Sequence, residues 1–204
     1  MGLLGRGSRD DRSGTFDALV VGLGNPGSQY ARTRHNVGEE CVRVLAATVG
    51  AELKAGRDSA STADVRLAGR RVILAFPSTF MNESGKAVAA LMRRHGLRDA
   101  NRLLVVHDEL DLPPGTVRVK SGGGLGGHNG LRSITERTGT QDYLRVRIGV
   151  GKPPSKDRGA DHVLSKVPAA EREILDIGVR LAADAVIELL ENGPAAAMNR
   201  FNGS

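Results

Sequence analysis

The stretch from Asp17 to Asn36, DALVVGLGNPGSQYARTRHN, constrains this chain more than any other. Its apolar run Ala18-Leu19-Val20-Val21 has the length of a buried strand, and it breaks at once into a loop dense in Gly, Asn and Pro. A strand that feeds a polar loop is how α/β proteins place reactive groups, because sites in open sheets gather at the C-terminal ends of strands. This loop ends on Arg34-His35-Asn36. His35 is therefore the first candidate for a catalytic residue.

The alternation recurs along the chain. Asn36 stands where it can cap a helix with Val37, Cys41, Val44 and Leu45 on its apolar face, ended by Gly50. Residues 63–67 alternate like a half-buried strand, Gly69-Arg70 turns the chain, and 72–76 read as a buried strand that Pro77 stops. The loop PSTFMNESG leads into a helix with Ala87, Val88, Leu91 and Met92 inward. A fourth strand over 103–106 runs into His107-Asp108-Glu109-Leu110-Asp111, followed by a turn at Pro113-Pro114-Gly115 and a strand over 116–120. The glycine-rich SGGGLGGHNG precedes a short helix over 131–137, a strand over 143–150 and a basic loop over 152–158. A long amphipathic helix is expected over 169–191, starting just after Pro168. Strands alternating with helices, with no repeat or internal linker, predict a single α/β sandwich around a twisted, mostly parallel sheet.

Composition narrows the class. The 204 residues suffice for one sizeable core. Aromatics are 3% with no Trp, so aliphatic packing carries that core. A net charge of +6 and a pI near 10.0 favour an anionic partner such as nucleic acid. The single cysteine, Cys41, allows no internal disulfide and fits a reducing compartment. No apolar run is long enough to span a membrane, and the first residues lack the apolar core of a secretory signal. A cytoplasmic protein is expected, with a disordered extension over residues 1–15 ahead of a folded domain over 16–204.

Several motifs exclude functions. Gly22, Gly24 and Gly27 match G-x-G-x-x-G, but Pro26 interrupts, the helix waits until about Asn36, and no acidic residue ends the next strand, so dinucleotide binding is rejected. No phosphate-binding G-x-x-x-x-G-K-[ST] and no G-x-S-x-G elbow is present. Asp108, beyond a buried strand, is the carboxylate that can fix the tautomer of His35 and leave its other nitrogen to take a proton from water. The alternative is a metal site built from His107, Asp108, Glu109 and Asp111. Asn25, Asn82 and Asn129 stand in three separate loops and together offer amide donors and acceptors suited to a peptide backbone or a developing oxyanion. Arg118 and Lys120 share one strand face, as do Arg145 and Arg147, and with Lys152, Lys156 and Arg158 they form a candidate phosphate-tracking surface.

Taken in order, GLGNPGSQYARTRHN, FMNESG, HDELDLPPG and GGGLGGHNGLRS resemble the bacterial peptidyl-tRNA hydrolase family, from about Leu19 to the Met198-Asn199-Arg200 tail. The resemblance implies a monomeric esterase that splits the peptide from the terminal ribose of tRNA and returns the tRNA for reuse. It implies a three-layer α/β/α domain with a mixed, mostly parallel twisted sheet of the phosphorylase/hydrolase type, and no metal or cofactor. On the matching positions His35 is the general base, Asp108 its orienting partner, and Asn25 the residue that tells blocked from free aminoacyl-tRNA. Tyr30, Phe80, Met81, Asn82 and Asn129 line the site for the tRNA 3′ end and the peptide. His128, Lys120, Arg145 and Arg147 are accessory or phosphate contacts. An RNA-binding relative that has lost the chemistry, and a metal-dependent hydrolase, remain the rival readings.

Overall fold

The computed structural model describes residues 16–203 except Pro154, Lys156 and Asp157. The extension expected over residues 1–15, and Lys156 of the basic loop, lie outside the described residues.

One seven-stranded sheet runs in the order β2-β3-β4-β1-β5-β7-β6. At its centre, β1 (Ala18–Gly22) pairs in parallel with β4 (Arg70–Pro77) and β5 (Leu103–Glu109), and β5 in parallel with β7 (Leu144–Gly149). The edges are antiparallel, through β2 (Lys54–Ala55) and β3 (Ala60–Leu67) on one side and β6 (Val117–Ser121) on the other. The sheet is thus mixed, with its parallel strands gathered where the core is deepest. Every residue of β1 is buried, which explains its unbroken apolar run, since a parallel central strand is covered on both faces.

Helices α1 (Val37–Thr48) and α5 (Ala169–Asn202) pack one face of the sheet through Val42, Leu45, Leu175, Val179 and Val186. Helices α2 (Ser84–Arg94) and α3 (Asn129–Thr138) cover the other through Val88, Leu91, Leu131 and Ile134. Three layers result, as expected. Cys41 lies fully buried in the α1 layer, where desolvation pushes its thiol pKa up, so it is a packing residue.

The structure also departs from the sequence reading. Strand β5 does not end at Val106: its ladder with β7 continues through His107↔Arg147, Asp108↔Ile148 and Glu109↔Gly149. Asp108 is therefore held inside a strand, 4% exposed, rather than carried just beyond one. Helix α5 runs past Glu191 to Asn202, interrupted at Gly193, whose φ of 82° suits glycine, and restarted by Pro194. Helix α4 (Gly159–Leu164) was not foreseen, because six residues are too few to show a helical period.

Candidate active site

The chain reaches His35 through a 3-10 turn over Arg34–Asn36 that opens directly into α1. Two glycines set its height. A Cβ on Gly22 would lie 2.1 Å from the carbonyl oxygen of Gly38, and one on Gly38 would lie 2.3 Å from that of Val106. Only bare backbone lets α1 sit this close to β1 and β5, so two glycines seat the helix start against the strand that holds Asp108.

At that junction Asn36 does not cap α1 with its side chain. Its Oδ1 instead accepts from the Asn25 N–H (2.9 Å), and its Nδ2 donates to the Asn25 carbonyl (2.9 Å) and to Glu39 (2.8 Å). The residue read as a cap therefore clamps the loop of Asn25 to the turn of His35.

His35 presents Nδ1 to both oxygens of Asp108, at 2.9 and 3.0 Å. A carboxylate only accepts, so the pattern assigns the proton to Nδ1 and the lone pair to Nε2. Burial by itself lowers the pKa of His35, but the Asp108 charge and its hydrogen bond outweigh this, and the net shift is upward from 6.5. For Asp108, burial works towards a higher pKa. The charges of His35 and His128 and the hydrogen bonds from both rings prevail, and the carboxyl stays well below its usual range.

The second ring on Asp108 was expected to be an accessory substrate contact. His128 caps α3: its Nδ1 accepts from the Gly130 and Leu131 N–H groups at 3.1 and 3.4 Å, and its Nε2 lies 2.9 Å from Asp108 Oδ1. Both nitrogens are engaged, the first as acceptor and the second as donor. A third ring, His107, places Nδ1 2.7 Å from the Asp108 carbonyl oxygen, while its buried Nε2 has no hydrogen-bond partner among the described residues. Desolvation, together with the nearby His128, pushes the His107 pKa down to about 3, so this ring is neutral.

These groups line a cleft of about 440 Å³ that also collects Asn25, Phe80, Met81, Asn82 and Asn129. The three loop asparagines thus converge. Asn25 is buried, and its Oδ1 accepts from the Met81 N–H at 2.8 Å, which leaves its NH2 group for a ligand. Tyr30 is not part of the wall. Its ring meets that of Phe80, which does line the cleft, edge to face with centroids 6.5 Å apart. Sequence reading missed the apolar lining of the cleft, to which Leu110, Leu125, Val163 and Leu164 also contribute. Isolated apolar residues in loops and in one six-residue helix carry no signal of that role.

The cations of the two basic strands differ in role. Antiparallel pairing sets Arg118 opposite Arg147 and Lys120 opposite Arg145, so four cations share one sheet face. Like charges so placed repel unless they are compensated. Arg147 is compensated by Glu109 at 3.0 Å. Arg145 corrects the expectation of a surface phosphate contact: it is 2% exposed, and its guanidinium donates to the carbonyls of Gly123 and Gly124 at 2.7 Å each and of Gln141 at 3.3 Å. It braces the glycine-rich loop. Lys120 remains half-buried on this face.

As a cation site the residues fit poorly. Residues 107–111 diverge, with Glu109 turned to Arg147 and Asp111 to Lys152 at 3.2 Å. The ring nitrogens and carboxylate of His35, Asp108 and His128 do lie within 4.8 Å of one another. However, the nitrogens facing Asp108 carry the protons of its hydrogen bonds, whereas a metal needs their lone pairs.

A three-layer α/β/α fold whose cleft holds a carboxylate-paired histidine at the ends of its parallel strands defines a hydrolytic enzyme. The sequence profile of the Peptidyl-tRNA hydrolase family matches residues 19–204, and the chain belongs to that family. It is 52% identical over 189 residues to the peptidyl-tRNA hydrolase of Rhodococcus erythropolis, covering 92% of this chain and 99% of that one. With that of Frankia alni it shares 51% identity over 184 residues, 90% and 93% of the two chains. The crystal structure of peptidyl-tRNA hydrolase from Acinetobacter baumannii superposes with a TM-score of 0.85 at 40% identity, over 93% of this chain and 97% of that one. Among the described residues no helix is long and apolar enough to cross a membrane.

Proposed function

We propose that this protein hydrolyses the ester between a peptide, or an N-blocked amino acid, and the terminal ribose of tRNA, with His35 as general base. The observation that carries the reading is the bond from His35 Nδ1 to Asp108, which leaves Nε2 as the basic nitrogen of a ring lining the cleft. Nε2 takes a proton from water as the hydroxide forms a bond to the ester carbonyl carbon. The tetrahedral intermediate then collapses, the bond to the ribose oxygen breaks, and the imidazolium returns its proton to that oxygen. Asp108, anionic throughout, stabilises the imidazolium between the two steps. Asn82 and Asn129 supply amide groups to the peptide and to the carbonyl oxygen as it becomes negative.

Asn25 supports the preference for a blocked amino group. Its oxygen is committed to Met81, so it offers N–H donors. An acylated substrate brings a carbonyl that accepts from them, whereas a free ammonium brings only further donors. The basic face of β6 and β7 is suited to tRNA phosphates, through Lys120 and Arg147. Replacing Lys120 with alanine is expected to weaken tRNA affinity and reduce the slope of log affinity against log salt by about one. An unchanged slope places the phosphate contacts elsewhere.

The deciding measurement is single-turnover cleavage of an N-blocked aminoacyl-tRNA beside its free-amino form, each with and without chelator. Rapid release of tRNA from the blocked form alone is the expected result. Tight binding without cleavage in both conditions refutes the hydrolase reading, and activity present without chelator but abolished by it refutes the metal-free mechanism.

A further inference from the structure

The turn that carries His35 also carries Arg34, whose side chain is 7% exposed and points to the far end of the chain. Its guanidinium grips Glu171 in the first turn of α5 with two bonds of 2.7 Å, from Nε and Nη2. Its Nη1 donates to the His162 carbonyl at 3.1 Å and to Ser165 Oγ at 3.3 Å, both at the end of α4. One main-chain bridge, Thr33 with Lys166, joins the same two segments. Helix α4 in turn contributes Gly159, Ala160, Val163 and Leu164 to the cleft.

The turn itself is held under tension. Arg32 has a φ of 61°, a region that non-glycine residues rarely adopt. Arg172 donates to the Arg32 carbonyl at 3.3 Å and to Glu40 in α1, and the Arg32 side chain pairs with Asp176 in α5 at 2.9 Å. A partly buried bidentate guanidinium–carboxylate pair fixes distance and orientation together, which a single-point contact does not.

We infer that Arg34 is a positioning residue: it clasps the corner between α4 and α5 to the turn of His35, so that the apolar wall of the cleft and the base move as one unit. The inference rests on His35 being the base. A slack corner leaves Val163 and Leu164 free to drift from the reacting ester, and a displacement of about 1 Å at a site is enough to cost about 10²-fold in rate.

Arg34→Met, Arg34→Lys and Glu171→Gln in the full chain test this, by single-turnover cleavage of N-blocked aminoacyl-tRNA across substrate concentration and pH, and by amide hydrogen exchange. Arg34→Met is expected to lower the saturating rate by about 10²-fold and raise KM about tenfold. Exchange over residues 159–166 is expected to accelerate while β1 and β5 keep their protection. Glu171→Gln should fall between this variant and wild type, and Arg34→Lys should stay nearer to Arg34→Met. The acidic limb of the pH profile should not move, since the charge that raises the His35 pKa is that of Asp108. Activity that merely follows the folded fraction, with KM and exchange over 159–166 unchanged, overturns the inference, as does a shifted acidic limb. Glu171→Gln carries the same test if Arg34→Met does not fold. Should the wild-type protein fail to cleave the ester, the functional reading falls, while the exchange measurement still decides the clasp.

Discussion

Two helix starts, on opposite faces of the sheet, each send one histidine to the same carboxylate. His35 arrives ahead of α1 and His128 caps α3, and each places a ring nitrogen 2.9 Å from Asp108 Oδ1. The difference lies in the other nitrogen. That of His128 is occupied by the N–H groups of Gly130 and Leu131, whereas that of His35 makes no hydrogen bond among the described residues, on a ring that lines the cleft. One ring is thereby committed to structure and the other left to chemistry. A histidine's role here follows from what its second nitrogen meets, and proximity to Asp108 does not distinguish the two.

The sharpest way to break this comparison is to remove each ring in turn. His35→Ala takes away the proton acceptor and is expected to lower the single-turnover rate by about 10²–10⁴-fold or more. A variant that still turns over near the wild-type rate would move the base to another residue. Asp108→Asn comes next, at about 10²-fold, with tRNA binding retained. The pH dependence gives it a signature. In the wild type the His35 pKa is raised above 6.5, and the base must be neutral, so activity rises with pH through a midpoint above 6.5. Without the Asp108 charge, burial remains and works in the opposite direction, so the acidic limb should move below 6.5. If the limb stays in place while binding collapses, Asp108 is a structural residue.

How much of this was legible in the sequence varied with the length of the signal. Apolar runs such as Ala18-Leu19-Val20-Val21 announce central parallel strands, because a strand covered on both faces has no polar alternation to confuse with a loop. His35, Asp108 and the three asparagines stood out because each closes a strand or fills a polar loop, and the fold brings them to one cleft. Arg145 was misread. Alternation put it beside Arg147 on one strand face, but periodicity does not reveal that the glycine-rich loop folds back over that face and takes its guanidinium. Asn36 does stand at the N-cap position, but only the packed structure shows that its amide is spent on Asn25 rather than on the helix. Arg34 lies 137 residues from Glu171, and no local pattern encodes such a pair.

Smaller effects separate the two rings further. His128→Asn keeps a residue type that caps helices well but does not reach Asp108, and should cost about tenfold in rate. The shorter side chain ends before the position of His128 Nε2, so Asp108 loses that donor and becomes a stronger partner for His35, and the acidic limb should shift upward, the reverse of Asp108→Asn. A rate loss expressed only in KM, with the limb unmoved, would return His128 to the role of a substrate contact.

The smallest expected effect is on stability, and it reverses the ranking of the two histidines. His128→Ala deletes a helix cap, for about 1 kcal/mol, and leaves the Gly130 N–H, on a buried residue, to find another acceptor. His35 caps nothing, and its side chain is 13% exposed at the cleft, so water can take its place beside Asp108 in His35→Ala. Thermal unfolding of the two variants at one pH should therefore show the lower midpoint for His128→Ala, although His35→Ala is by far the less active enzyme. Equal midpoints would mean that the bonds from α3 to His128 add nothing to stability, and that the division between a structural and a chemical ring is one of reactivity alone.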